Sequence, residues 1–146
     1  MWNDVVDEKH AEQIAELLNK QNKLVVHYDA RKVLQSAENY LYELAESGDV
    51  AACLELKRVQ WYQFEVDHLT VHSDYLRRGH GQRLLDQAEQ KAMTENGRLL
   101  QCTIRQDNAA SEGLFTKCAF SRVAQFYYPL SGNNVGVWQK VISPAR

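Results

Sequence analysis

The sequence predicts a single α/β domain with a mixed, mostly antiparallel sheet of about six to seven strands, flanked by about four helices. Segments with helical and strand-like apolar patterns follow one another in the order helix, helix, three strands, helix, strand, helix, two strands. Residues 64–105 have the pattern strand, helix, strand, and such a crossover places two parallel strands side by side. Short turns join the other strands, so the rest of the sheet is expected to be antiparallel around this central parallel pair.

The first half of the chain is predicted to form two helices and three strands. An apolar stripe that includes Ile14 and Leu18 defines the first helix, with Asp4 or Asp7 as its N-cap. The sequence Ser47-Gly48-Asp49 is typical of a hairpin turn. The predicted helices cover residues 7–20 and 29–37, and the predicted strands cover residues 40–45, 50–58 and 64–71.

The second half is predicted to add two helices and three strands. The strongest helix has an apolar stripe that includes Leu84 and Ala88, and Gly97 is expected to stop it. Residues 129–134 are rich in turn-forming residues and join the last two strands as a hairpin. The predicted helices cover residues 81–96 and 108–119, and the predicted strands cover residues 99–105, 121–128 and 135–142.

The composition is typical of one soluble domain over residues 1–146. Hydrophobic residues make up 45% and charged residues 25%, and the net charge of −2 argues against a general nucleic-acid binder. The three cysteines lack metal-ligand spacing, so no metal site is expected. No apolar run has the length of a membrane span, and the N-terminus lacks the features of a signal peptide. A cytoplasmic protein without membrane contact is therefore expected.

The most informative stretch is the turn between the third strand and the helix that follows it. It combines Arg77 and Arg78 with the G-x-G spacing of Gly79 and Gly81. Glycines let a backbone approach a ligand closely, and the N–H groups that begin a helix point at an anion. The pattern predicts a cradle for a phosphate-bearing small molecule. It matches neither the dinucleotide fingerprint nor the kinase-type phosphate loop, and the glycines would also suit a plain strand-to-helix turn.

Two motifs together resemble the GNAT superfamily of N-acetyltransferases over residues 40–142. Residues 75–81, Y-L-R-R-G-H-G, follow a strand and are similar to the family's acetyl-CoA motif Q/R-x-x-G-x-G/A. Residues 108–120 are similar to the family's helix N-x-x-A-x-x-L-Y-x-x-x-G-F. The resemblance implies an acyl-CoA N-acyltransferase-like fold and acetyl-CoA as the cosubstrate, with no metal.

The resemblance also implies which residues hold acetyl-CoA. Leu69, Thr70 and Val71 would offer backbone hydrogen bonds to the pantetheine arm, and one N–H group there would polarise the thioester carbonyl as an oxyanion hole does. The N–H groups of the turn would hold the pyrophosphate. In the turn and the second motif, the expected cofactor-binding residues are Arg77, Arg78, Gly79, His80, Gly81, Gln82, Asn108, Ser111 and Phe115.

Two departures from the family pattern bear on the chemistry. Leu76 stands where the family has Gln or Arg, so the neighbouring arginines Arg77, Arg78 and Arg83 would compensate for the lost phosphate contact. Phe115 stands where the family often has a tyrosine that gives a proton to the departing thiolate. A thiol with a pKa of about 8.5 can also leave without such a donor. The alternative donors are Tyr127, Tyr128 and Cys118, among which the sequence does not choose.

Acetyl transfer to an amine needs a base, and the third strand offers two candidates. Glu65 is the first, because its position is similar to that of the catalytic glutamate in the histone acetyltransferases of the family, and His68 is the second. Strand alternation predicts Glu65 and Asp67 on one face and His68 on the other. Solvated or structural roles for these side chains stay open. Thr103 stands where ribosomal-protein N-terminal acetyltransferases carry a glutamate, which argues against that substrate class.

The expected activity is N-acetyl transfer from acetyl-CoA to a primary amine by direct attack in a ternary complex. No cysteine adjoins a histidine or a carboxylate in sequence, so a covalent intermediate is not expected. The acceptor is a small molecule or an amine of a peptide or protein. One alternative is an acetyl-CoA-binding sensor or interaction module with weak or no catalysis, and another is a phosphate-ligand domain of an unrelated family. The C-terminal hairpin is a candidate contact between two copies in a homodimer.

Overall fold

The computed structural model describes residues 6–21 and 27–142 of the chain. The helices of this part are α1 (Glu8–Gln21), α2 (Ala30–Gln35), α3 (His80–Thr94) and α4 (Ala109–Lys117). The strands are β1 (Tyr40–Leu44), β2 (Val50–Arg58), β3 (Gln63–Val71), β4 (Leu99–Arg105), β5 (Ser121–Tyr128) and β6 (Asn133–Val141). Two short 3-10 turns cover Ala37–Asn39 and Ser73–Tyr75. Every predicted helix and strand is confirmed, and no end differs from its predicted position by more than two residues.

The strands form one six-stranded sheet in the order β1-β2-β3-β4-β6-β5. Strands β3 and β4 are parallel, as the crossover pattern predicts, while β1 with β2, β4 with β6, and β5 with β6 are antiparallel. The mixed α/β fold with a parallel pair is therefore confirmed. The single domain over residues 1–146 stays a prediction, because the contacts between Cα atoms divide the chain into two compact units.

The first unit comprises Met1–Leu56 and His68–Ala88. Its core includes the stripe of α1, in which Ile14 and Leu18 are fully buried. Burying a side chain of this size is worth about 1.5–3 kcal/mol, so the stripe fixes α1 more firmly than helix propensity does. Asp7 caps α1 by accepting a hydrogen bond from the His10 N–H at 2.8 Å, whereas Asp4 lies outside the described residues.

The second unit comprises Lys57–Asp67 and Glu89–Arg146. Its core includes Leu100 and Cys102 of β4, Phe115 of α4 and Trp138 of β6, all of which are buried. Strand β5 lies at the edge of the sheet, and every one of its residues is exposed. Strand β5 therefore adds no buried side chain to this core.

The end of α3 corrects one prediction. The residue that leaves the helical conformation is Asn96, with φ 66°, and not Gly97. The Gly97 N–H donates to the Ala92 carbonyl at 2.6 Å, and a Cβ atom at Gly97 would lie 2.9 Å from the Phe64 ring. Glycine is needed at position 97 for close packing, while asparagine, which tolerates the left-handed region, makes the stop.

Within residues 6–21 and 27–142, none of the helices combines the length and the apolar character that a membrane crossing requires.

Candidate functional site

The predicted anion cradle lies at the start of α3. Arg77 and Gly79 both have left-handed backbone conformations, with φ 63° and 82°, and the helix begins at His80. The Arg83 N–H donates to the Gly79 carbonyl at 3.0 Å, which closes the first helical turn. The N–H groups that precede this bond have no partner within the helix. Groups of this kind are what a helix start offers to an anion.

Side chains of the first turn of α3 contact the carboxylate of Glu43, a residue that the sequence pattern does not single out. Glu43 of β1 lies 2.6 Å from His80 Nδ1 and 3.0 Å from Arg83 Nε. Gln87 Nε2 donates to the same carboxylate at 3.2 Å. The Nδ1 atom of His80 is therefore engaged by Glu43. Arg83 is engaged by Glu43, so this structure does not support the prediction that Arg83 compensates for Leu76.

Arg77 and Arg78 remain as the cationic side chains of the turn. Both are exposed, and the Arg78 guanidinium lies 5.5 Å from the centre of the Tyr75 ring. Among the described residues, neither forms an ion pair with a carboxylate. A cationic turn beside a helix start fits a ligand that carries a pyrophosphate. The residues present therefore fit the phosphate part of acetyl-CoA.

Strand β3 changes conformation at His68. The parallel register with β4 runs over three residue pairs and ends at Glu65 opposite Gln101. His68 then has φ 57°, far from the extended region. Beyond it Thr70 is buried, and its hydroxyl donates to the His68 carbonyl at 2.8 Å, while Leu69 and Val71 are half-buried. The alternation of side chains between the two faces of β3 therefore cannot be extended past His68.

Two carboxylates are brought together just before this irregularity. Glu65 and Asp67 are half-buried and hydrogen-bonded to each other, and Lys57 Nζ lies 3.3 Å from Asp67 Oδ2. Burial, followed by the hydrogen bond and the charge of Asp67, raises the pKa of Glu65 from 4.5 to about 7. A hydrogen bond with Gln101 and the charge of Lys57 act in the opposite direction. A carboxyl group with this pKa can take up and release a proton near neutral pH.

His68, the second candidate base, has a different partner. Its Nε2 atom lies 3.0 Å from the Tyr28 hydroxyl, and the two rings meet edge to face at 5.5 Å. Tyr28 is itself fixed by Asn19, whose side-chain amide donates to the Tyr28 carbonyl at 2.6 Å and accepts from the Tyr28 N–H at 2.8 Å. The imidazole is thus oriented by an anchored phenol.

The second motif forms the start of α4. Asn108 is the N-cap, and its side chain accepts a hydrogen bond from the Ser111 N–H at 3.2 Å. Ser111 is half-buried, whereas Phe115 is buried and stacks on Phe120 with 4.9 Å between ring centres. Phe115 thus occupies a core position and brings no hydroxyl to the site.

The alternative proton donors to the thiolate are spread over β5 and the end of α4. Tyr127 and Tyr128 are exposed on the edge strand, and Cys118 is half-buried.

Sequence reasoning missed Glu43, Lys57, Gln101 and Gln139. Each is a polar residue in a strand, where alternation alone cannot distinguish a solvated side chain from one that has a partner on the next strand. The signal becomes visible only with the register, which places Glu65 opposite Gln101 and Gln101 opposite Gln139. Among the described residues, no group of three or more His, Cys, Asp or Glu side chains is placed to hold a metal ion.

A sequence model of the acetyltransferase (GNAT) family matches residues 2–120. The structure is similar to Ard1 from Thermoplasma volcanium, with a TM-score of 0.81 and 17% identity over 95% of each chain. It is also similar to the ribosomal-protein-alanine N-acetyltransferase from Brucella melitensis, with a TM-score of 0.79 and 19% identity over 95% of this chain and 98% of that one. A third similar structure is yncA from Salmonella typhimurium with its cofactor acetyl-CoA, with a TM-score of 0.80 and 19% identity over 97% of this chain and 94% of that one. No curated protein matches the chain by sequence.

Proposed function

Because the chain belongs to the acetyltransferase (GNAT) family, we propose that it transfers an acetyl group from acetyl-CoA to a primary amine. The observation that carries the proposal is the start of α3, where Gly79 has φ 82° and Arg77 and Arg78 are exposed beside it. Backbone N–H groups at a helix start, with arginines next to them, suit a pyrophosphate. Acetyl-CoA carries that pyrophosphate and supplies an acetyl group activated as a thioester.

The remaining cosubstrate contacts are proposed from the family motifs. The backbone of Leu69, Thr70 and Val71 would bind the pantetheine arm, next to the place where β3 leaves the extended conformation. In the turn, the backbone of residues 77–82 would bind the pyrophosphate. Asn108, Ser111 and Phe115 are proposed as further contacts, and Asn108 would combine this role with the capping of α4 that it has here.

Glu65 is proposed as the base. In the reaction, a C–N bond forms between the amine and the acetyl carbon, and the C–S bond of the thioester breaks. The amine gives up a proton to the Glu65 carboxylate, directly or through water, and the thiolate takes a proton from water. The pKa of Glu65, raised to about 7, suits a base that works near neutral pH. His68, oriented by Tyr28, is the second candidate for the same role.

The acceptor is proposed to be a primary amine of a small molecule, a peptide or a protein. Thr103 is exposed and offers a hydroxyl at the position where ribosomal-protein N-terminal acetyltransferases carry a glutamate. The cytoplasmic location and the lack of a nucleic-acid partner stay predictions. The homodimer also stays a prediction, with the C-terminal hairpin formed by β5 and β6 as the candidate contact. A monomeric mass by light scattering would contradict it.

Binding of acetyl-CoA is tested first, by thermal unfolding with acetyl-CoA, CoA and ATP in parallel. A ligand at about 100 times its dissociation constant adds about 2.7 kcal/mol of stability, which raises the unfolding midpoint measurably. We expect both CoA ligands to stabilise the chain and ATP to leave it unchanged. Equal stabilisation by ATP would favour a general phosphate-binding turn, and no stabilisation would contradict the proposal.

Catalysis is tested separately, by following release of the CoA thiol with a polyamine, a peptide with a free N-terminus and a lysine-containing peptide. Turnover that depends on one of these amines is the expected result. The second candidate function, an acetyl-CoA-binding sensor, is favoured by Phe115, which has no hydroxyl and is buried against Phe120. Tight acetyl-CoA binding without turnover of any amine would favour the sensor.

A further inference from the structure

A row of polar side chains crosses three neighbouring strands at the end of the parallel pairing. Glu65 of β3 lies opposite Gln101 of β4, and Gln101 lies opposite Gln139 of β6. All three side chains are half-buried, although the strand neighbours Phe64, Leu100 and Trp138 are buried. Since alternate residues of a strand face opposite sides of the sheet, the row occupies the face opposite those apolar neighbours.

The hydrogen bonds along this row have a fixed direction. Gln139 Nε2 donates to Gln101 Oε1 at 2.8 Å, so the oxygen of the Gln101 amide is occupied. The Gln101 side chain is also hydrogen-bonded to Glu65. Because a carboxylate can only accept, the group that meets it is the Gln101 NH2. Without Gln139, the two ends of the Gln101 amide could exchange places.

The other side of Glu65 is fixed by a second pair. Asp67, two residues along the same strand, hydrogen-bonds to Glu65, and Lys57 of β2 holds Asp67 at 3.3 Å. The groups that face Glu65 are therefore a neutral donor on β4, a carboxyl on its own strand and, behind that carboxyl, a cation on β2. The nearby thiol of Cys102 is buried, and burial raises its pKa, so it adds no charge near neutral pH.

We propose that Gln101, locked by Gln139, is a positioning residue that orients the Glu65 carboxyl and sets the pH at which it exchanges a proton. Asp67 and Lys57 provide the opposing contact from the other side. This inference rests on the proposed role of Glu65 as base. The hydrogen bonds among Glu65, Gln101 and Gln139 do not depend on which amine is acetylated. It assigns a purpose to two glutamines that are not themselves expected to touch the reacting atoms.

The test is a titration of the Glu65 carboxyl by carbon-13 NMR in the protein without ligands. Gln101→Met and Gln139→Met keep the side-chain size and remove the amides. We expect each to raise the titration midpoint of Glu65 by about one pH unit, because the donor to the charged form is lost or misdirected. Gln125→Met on the exposed strand β5 is the matched control and should leave the midpoint in place. Unchanged midpoints in both variants would overturn the inference.

Two further variants test the effect of Asp67 and Lys57 on Glu65 by the direction in which each moves the Glu65 titration midpoint. Asp67→Asn should lower the Glu65 midpoint because it removes a neighbouring carboxyl charge, and Lys57→Met should raise it because it removes a cation. Midpoints that move in the same direction in both variants would contradict the arrangement. The chemical shifts also report folding, so a variant that unfolds is recognised and replaced by Gln101→Glu, which should raise the midpoint as well.

The pH dependence of turnover distinguishes failure of this inference from failure of the proposed function. Once an acceptor is found, the pH at which turnover rises should follow the NMR midpoint in Gln101→Met and Gln139→Met, with the KM for acetyl-CoA unchanged. A shifted NMR midpoint with an unshifted activity profile would support the positioning network and remove Glu65 as the base. Absence of turnover in the unmodified chain would defeat the catalytic proposal and leave the NMR result as the test of the network.

Discussion

Glu43 and Glu65 are two partly buried strand glutamates with opposite surroundings. Glu43 of β1 is met by His80, Arg83 and Gln87, which are donors or cations on one helix. Glu65 of β3 is met by a second carboxyl, and the pKa of Glu65 is raised to about 7. Glu43, surrounded by hydrogen-bond donors, links the start of α3 to β1. Burial and a second carboxyl both disfavour the charged form of Glu65, so it keeps a proton to a higher pH. The neighbours, and not the residue type, separate the structural role from the proposed catalytic one.

The comparison is tested most severely by Glu65→Gln and Glu43→Gln. Glu65→Gln should lower kcat by about 10²–10⁴-fold, because general bases contribute that much, and should leave the affinity for acetyl-CoA unchanged. Glu43→Gln should retain most of kcat. Steady-state kinetics across pH on both variants are the measurement. An unaltered kcat and pH profile in Glu65→Gln would remove this residue as the base and turn attention to His68.

The cradle is tested by Gly79→Ala and Gly81→Asp. At Gly79 the φ of 82° disfavours a side chain, and a Cβ atom would lie 2.7 Å from Arg83 Nη1. Gly81 is buried in the first turn, and a carboxylate there would repel a pyrophosphate. We expect affinity for acetyl-CoA to fall about tenfold or more, measured by calorimetry; tenfold corresponds to about 1.4 kcal/mol.

Gly48→Ala is the matched control for Gly79→Ala. Its φ of 88° imposes the same backbone strain, but a Cβ atom there meets nothing within 4 Å. It should cost about 1–2 kcal/mol of stability and leave acetyl-CoA affinity unchanged. Equal affinity losses in both variants would show that the effect comes from destabilisation and not from the cradle.

Glu43→Ala tests whether the contacts of Glu43 stabilise the start of α3. It leaves His80 and Arg83 without their carboxylate, and hydrogen bonds to charged groups contribute about 1.5–3 kcal/mol each before solvent screening. Because Arg83 is exposed, we expect a net loss of about 1–2 kcal/mol in the free energy of unfolding, measured with denaturant. Unchanged stability would show that these contacts do not hold the start of α3.

The last test of the comparison is the pH dependence of stability. Since the folded chain raises the pKa of Glu65 from 4.5 to about 7, it binds this proton more tightly than the unfolded chain does. The resulting stabilisation is complete below about pH 4.5 and is lost as the pH rises through about 7. Glu65→Gln should lack this decline. Parallel pH profiles of denaturant midpoints for the two proteins would contradict the raised pKa.

The fold and the turn before α3 could be predicted because their signals are local. The helical stripe with Ile14 and Leu18, the Gly48 hairpin turn and the strand–helix–strand pattern each depend on residues close in sequence. The turn with Arg77 and Gly79 is likewise contiguous, so its position at a helix start followed from the sequence. The prediction that Gly97 stops α3 is wrong, because glycine at this position is required by contact with the Phe64 ring and not by its own φ.

The order of helices and strands, the turn of Arg77 and Gly79 before α3, and Glu65 as a candidate base can all be read from the chain alone. The surroundings of each glutamate depend on the folded chain: Glu43 contacts side chains about 40 residues away, and Gln101 contacts Gln139 on another strand. Such contacts depend on strand register. A shift of one residue would move every side chain of a strand to the other face of the sheet. The pKa of a carboxyl follows from these distant neighbours and from burial, and neither can be read from residues adjacent in sequence.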